Sequence, residues 1–197
     1  MKFPATTLQV PVWVEDFLAQ SGLAHASVVA RMRLAIELSR RNMAHGGGPF
    51  GACVFETASG RLLAPGVNLV VSSRCSAAHA EMVAVSAAQQ VVGGYDLGGP
   101  GRPACELVTS TEPCAMCLGA VPWCGVRRLV CGAREEDARQ IGFDEGDKPA
   151  DWVQSLERRG IAVVRDVCRD EAAAVLRQYA AQGGLIYNAR QAGGRTK

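Results

Sequence analysis

Two short segments constrain this chain more than anything else in it: His79-Ala80-Glu81 and Pro113-Cys114-Ala115-Met116-Cys117. Any fold the chain adopts has to allow them to meet. One imidazole and two thiolates can grip a metal ion from three sides and leave the fourth to water. Three N/S ligands with an open position is the arrangement of a catalytic zinc, whereas a structural zinc is normally closed by a fourth side chain. Glu81, two residues from the histidine and not itself a ligand, is placed to move protons beside such an ion. The expected ligands are therefore His79, Cys114 and Cys117, and the expected cofactor is one catalytic Zn2+ per subunit.

Taken singly, each piece has a plainer reading. A histidine beside Ala-Met-Val is commonly a satisfied core residue. A Cys-x-x-Cys can be a redox dithiol or half of a zinc ribbon. A ribbon needs a second such pair, and Cys124 and Cys131 are wrongly spaced to supply it; a redox pair leaves His79 and Glu81 without a purpose. The other six cysteines (Cys53, Cys75, Cys105, Cys124, Cys131, Cys168) sit in apolar or strand-like surroundings and read as small buried hydrophobes.

A chain of 197 residues, 48% of them hydrophobic, is long enough for one domain with a substantial core. The formal charge of +2 and the scattered pairs Arg31/Arg33, Arg40/Arg41 and Arg127/Arg128 argue for a small-molecule substrate rather than a nucleic acid. Neither a signal-peptide core nor an apolar run long enough to span a bilayer is present, so a cytoplasmic address without membrane association is expected.

Residues 1–26, with Pro4, Pro11 and Gly22 around Val12-Trp13-Val14 and Phe17-Leu18, read as an N-terminal extension packed on a domain of residues 27–197. Ser27 is a candidate cap for a helix from Val28 to Met43. Strands follow at Phe50–Glu56 and at Arg61–Val71, the second interrupted near Pro65-Gly66. A helix is expected at Ala78–Val91 and a strand at Cys105–Thr109. Cys114–Cys124 reads as a helix with Pro113 at its start, where proline is welcome. Arg128–Ala133 is a strand, Glu135–Ile141 a helix, Trp152–Arg159 a helix, Ile161–Val167 a strand and Asp170–Gln182 the last helix. A tail holds Leu185-Ile186-Tyr187-Asn188. Alternating strands and helices predict a three-layer α/β/α sandwich around a central mixed β-sheet.

Most of the chain from about Arg33 onward resembles the cytidine-deaminase-like superfamily, and within it the guanine deaminases. The resemblance is carried by Gly47-Gly48-Pro49-Phe50-Gly51-Ala52, Ala78-His79-Ala80-Glu81, Thr111 to Ala120 and Ile141-Gly142-Phe143-Asp144-Glu145. Transfer-RNA adenosine deaminases share Glu-Pro-Cys-x-Met-Cys and His-Ala-Glu, but usually have Val in place of Phe50 and lack the Gly-Phe-Asp-Glu segment. Guanine deaminases carry an additional acid there, which matches Glu145, although similar members have Asp.

The resemblance implies Glu81 as proton shuttle, Glu145 as a second catalytic acid, and hydrolysis of guanine to xanthine and ammonia, with an amino-triazine such as ammeline as a related substrate. It also implies a homodimer, in some members with exchanged C-terminal segments. On that reading Phe50 gives the purine an apolar wall and Asn68 touches the ring edge. The Ala80 N–H holds the substrate carbonyl, Phe143 or Trp123 stacks or forms a lid, and Tyr187 caps a site in a partner subunit. Asn188 is no better placed. The alternatives are a transfer-RNA adenosine deaminase and, in a different class, a non-catalytic zinc-stabilised interaction domain.

Overall fold

The computed structural model describes residues 3, 5, 7–21 and 25–189. Pro4 and Gly22 of the extension and residues 190–197 of the tail lie outside the described residues. Among the described residues, the strands β1 (Gly51–Glu56), β2 (Leu62–Val67), β3 (Cys105–Thr111), β4 (Arg128–Ala133) and β5 (Ala162–Val164) form one sheet in the order β2-β1-β3-β4-β5. β1 runs antiparallel to both β2 and β3, while β3, β4 and β5 run parallel. The sheet is mixed, as expected.

Side-chain alternation splits each strand between two cores. Cys53, Phe55, Val108 and Val130 join the core that contains α2 (Val28–Ala44) and α8 (Arg169–Ala181). Ala52, Val54, Leu107, Leu129 and Cys131 join the core that contains α4 (Ala80–Val92), α5 (Ala115–Cys124) and α7 (Trp152–Glu157). With helices over both faces, the strands need apolar residues at successive positions, which is why they read as continuous apolar runs. Ser27 caps α2 as expected, its hydroxyl accepting from the Ala30 N–H at 3.1 Å.

The N-terminal segment contains a helix that the sequence pattern does not announce, α1 (Val12–Ser21). Val14 is fully buried in the α2 side of the core. Trp13 stacks on His45 at 4.5 Å, and the Arg41 guanidinium lies 4.1 Å from the Phe17 ring centre.

Several expected boundaries differ. β2 runs through Pro65-Gly66 without a break and ends at Val67. Pro65 is tolerated because β2 is an edge strand, where a missing N–H costs no ladder bond on the open side. Gly66 is required by close packing, since a Cβ there would run into the Ala80 carbonyl and Ala84 of α4. Beyond Asn68 the chain turns into the short helix α3 (Val70–Ser73), with the Asn68 side-chain oxygen accepting from the Val70 N–H at 3.3 Å. β5 stops at Val164 because Asp166 takes a left-handed conformation (φ 63°). Pro113 precedes the cap of α5 instead of opening the helix, and a second proline, Pro122, lies inside it.

Away from these helix starts, a charged knot ties α2 to the sheet. Glu106 of β3 is fully buried and pairs with both Arg31 and Arg128. Arg31 also donates to the carbonyls of His25 (2.8 Å) and Thr57 (3.1 Å). Removing one partner from such a cluster leaves a desolvated charge uncompensated. Arg31→Met is therefore expected to lower the free energy of unfolding by about 3–5 kcal/mol, read from urea denaturation midpoints at constant slope.

Candidate active site

The two motifs meet because two helices start side by side at one end of the sheet. His79 is the N-cap of α4 and Cys114 the N-cap of α5, both in extended backbone conformation. Neither side chain is used to cap its own helix, so both are free to turn into the space between the helix starts. Cys117 lies in the first turn of α5, on the same face as Cys114. His79 Nδ1 stands 3.4 Å from Cys114 Sγ and 3.6 Å from Cys117 Sγ. All three donor atoms lie within 4.8 Å of one another.

This spacing fits zinc. Tetrahedral Zn–S and Zn–N bonds of about 2.3 and about 2.0–2.1 Å put nitrogen and sulfur roughly 3.5 Å apart. The electrostatics also call for a cation. The hydrogen bond from Cys117 pulls the Cys114 thiol down to about 4 against the opposing effect of burial. The same contact, with burial and the Glu81 charge, pushes Cys117 upward. Two thiols sharing one proton can both ionise only when a positive charge joins them.

Beside the cluster, Glu81 is buried in the first turn of α4. Burial, then the Cys114 charge, raises its carboxyl to about 7. Glu145 reaches the same cavity from the loop after α6 (Glu135–Gln140). Burial, then the charges of Cys114 and Glu81, raises it to about 8. That loop is pinned to α5: the Glu145 carbonyl accepts from the Ala115 N–H at 2.8 Å. The almost fully buried Lys148 ammonium donates to the Pro113 carbonyl at 2.9 Å and pairs with Glu135 at 2.7 Å.

The cavity has a volume of about 380 Å³, within the usual range for a small-molecule site. Phe50, Asn68, Phe143 and Tyr187 line it together with His79, Glu81, Cys114 and Glu145. Phe143 meets Phe50 edge-on at 5.0 Å and Tyr187 edge-on at 5.1 Å. Met116, Glu112 and Asn188 also reach the cavity.

A family profile described as the cytidine and deoxycytidylate deaminase zinc-binding region matches residues 26–133, a span that contains all three proposed ligands. The chain belongs to this family of zinc-dependent deaminases. A guanine deaminase of Bacillus subtilis is 40% identical over 111 residues, 53% of this chain and 67% of the relative. The structure of guanine deaminase from Nitrosomonas europaea matches with a TM-score of 0.85 and 50% identity, covering 90% of this chain and 97% of that one. The protein NE0047 in complex with 2,6-diaminopurine matches with a TM-score of 0.84 and 52% identity, covering 94% and 98% of the two chains.

In this deaminase one candidate pocket residue stands elsewhere. Trp123 is 82% exposed on the outer side of α5, in a separate surface depression with Pro149 and Trp152. At about 100° per residue it sits roughly 120° around the helix from Cys117, off the face that carries the sulfurs. Ala80 keeps its side chain wholly buried, so only its backbone N–H, in the first turn of α4, remains for a ligand. Tyr187 lines the cavity of its own chain, where the sequence reading placed it over a partner's.

Sequence reasoning did not find Lys148, Glu112 or Tyr179. Glu112 binds Arg165 at 2.6 Å and the Glu135 N–H at 3.2 Å, and Tyr179 stacks behind Phe143 at 6.1 Å. The one local signal was the position of Glu112 beside the Pro-Cys motif.

Two outcomes are expected. Cys114→Ser should lower both zinc content, by elemental analysis, and melting temperature, because metal binding and folding are coupled. The second concerns protein stripped of metal. A carboxyl raised from 4.5 to about 8 in the folded state binds more protons folded than unfolded across that window. Its contribution to stability is full below about 4.5 and is lost as pH rises through about 8. The stability of the wild type relative to Glu145→Gln should therefore fall over that interval, measured by urea unfolding in chelator.

Proposed function

We propose that this deaminase converts guanine and water to xanthine and ammonia, with Zn2+ held by His79, Cys114 and Cys117. The observation that carries the reading is the second buried acid: Glu145 faces the cavity that Glu81 faces, and both stand near neutral pH. The guanine deaminases among the relatives support it.

Zinc at this site supplies a Lewis acid that brings the pKa of water toward neutrality. The protein's own groups handle the protons. Glu81 takes a proton from the attacking water and delivers it to a ring nitrogen beside C2. The guanine amino group on C2 is flanked by two ring nitrogens, so a second acid on the opposite side can hold it. Glu145 fills that role, passing the remaining proton of the hydroxyl added at C2 to the amino nitrogen as the C2–N bond breaks, the C2 carbonyl forms and ammonia departs. Acids with pKa values near the working pH can both give and accept a proton, which suits each to two steps of one turnover.

Phe50 and Phe143 wall the ring. The Asn68 oxygen is engaged by Val70, which leaves its NH2 for the ring edge. The Ala80 N–H holds the carbonyl, and Tyr187 closes the mouth. Ammeline, with an amino group between two ring nitrogens, meets the same contacts.

The transfer-RNA reading is disfavoured by two features. Arg33, Arg40, Arg41 and Arg128 are each engaged in ion pairs, and the tail lies over the cavity. A homodimer is part of the proposal, supported by the exposed Trp123 on the outer face of α5. A cytoplasmic address is supported by the need for two thiolates, which a reducing compartment preserves. Among the described residues no helix is long and apolar enough to cross a membrane.

The test is ammonia release by zinc-loaded protein offered guanine, ammeline, adenine, cytosine, their nucleosides and an anticodon stem-loop. Turnover of guanine is expected; silence on guanine with turnover of another substrate would end the assignment. Glu81→Gln should keep its zinc and lose about 10²–10⁴-fold in kcat. Full activity in that variant would remove the shuttle role.

A further inference from the structure

Asn188 makes two hydrogen bonds to the loop that carries Glu145. Its Oδ1 accepts from the Asp144 N–H at 3.0 Å, and its Nδ2 donates to the Gly142 carbonyl at 2.8 Å. One amide thus grips the backbone on both sides of Phe143 and fixes the residue immediately before Glu145. The two sides of the acid are held differently. On the far side, the Gly146 carbonyl accepts from Arg139 of α6 at 2.5 Å, and Asp144 Oδ1 accepts from the Gly146 N–H at 2.9 Å. The Glu145 carbonyl itself is tied to α5. On the near side, the Gly142 and Phe143 N–H groups donate to the Arg139 and Ala138 carbonyls of α6 at 3.0 and 3.2 Å, and Asn188 adds a grip from the tail.

The tail has its own seat. Tyr179 donates to the Leu185 carbonyl at 2.7 Å, and the Tyr187 ring stands edge-on to Phe143. Gly48 makes room for the Tyr187 hydroxyl, which a Cβ there would strike. Because Tyr187, Asn188 and Ala189 all line the cavity, tail and second acid sit on one wall.

We propose that Asn188 is a positioning residue for Glu145: through its two hydrogen bonds, seating of the tail brings the Gly142–Glu145 loop, and with it the second acid, into working position. The inference rests on the proton-handling role given above to Glu145. Asn188 takes no proton and acts only through the loop it clamps.

The test uses full-length, zinc-loaded protein with Asn188→Ala, Glu145→Gln and the double variant, followed on guanine by single-turnover ammonia release. Asn188→Ala should lower kcat by roughly 10–100-fold with a much smaller change in KM, since a misplaced group costs rate more than binding. In the Glu145→Gln background the same change should cost less than about two-fold, because residues acting as one unit are not additive. Hydrogen exchange of residues 142–146 should speed up in Asn188→Ala, with zinc content unchanged. An equal loss in both backgrounds, unaltered exchange, or loss of zinc would each overturn the proposal. Full guanine turnover by Glu145→Gln would overturn the role given to Glu145, and the exchange rates would still report on the clamp.

Discussion

Holding an imidazole, two thiols and two carboxyls against one another out of water is the constraint on which the rest of this structure depends. Each group would be cheaper exposed. The chain tolerates the cluster because all of it but Glu145 sits at the start of two helices, where partial positive charge and unsatisfied N–H groups favour anions. A divalent cation held there would join the thiolates. The same desolvation that makes the site costly raises Glu81 and Glu145 toward neutrality, where a carboxyl can carry protons both ways. Cost and function have one origin.

The sheet makes that convergence possible. β1 lies between β2 and β3, so the chain leaving β2 into α4 and the chain leaving β3 into α5 bring their helix starts to one end of the domain. Gly66 allows α4 to approach β2 closely, and the two apolar cores keep the helices from sliding over the sheet. The Arg31–Glu106–Arg128 knot anchors the opposite side, where α2 meets the strands. That scaffold presents His79 and Cys114 at the two helix starts without capping bonds of their own.

Much of this was legible in the residues. The convergence of His79, Cys114 and Cys117 beside Glu81, the mixed three-layer sandwich and the Ser27 cap all follow from local pattern, because motif spacing, helical period and capping chemistry are short-range properties. Glu145 needed the resemblance to a family, since nothing in Gly-Phe-Asp-Glu by itself distinguishes a buried acid from a solvated one. Trp123 was misjudged because a large aromatic near a motif says nothing about which side of the helix it occupies. Lys148 and Tyr179 escaped notice because their partners, the Pro113 carbonyl and the Phe143 ring, lie far from them in sequence.

What the sequence alone determined is the chemistry on offer: one nitrogen, two sulfurs and a carboxyl at helix-start spacing, in a chain apolar enough to bury them. Tertiary structure decided how that chemistry is deployed. It chose which acid joins Glu81, it sent Trp123 outward, and it laid Tyr187 and Asn188 over the chain's own cavity. The reason is physical: donor type and local geometry are carried by neighbouring residues, whereas desolvation, the quantity that sets a pKa and closes a pocket, belongs to whatever the whole fold brings around a group.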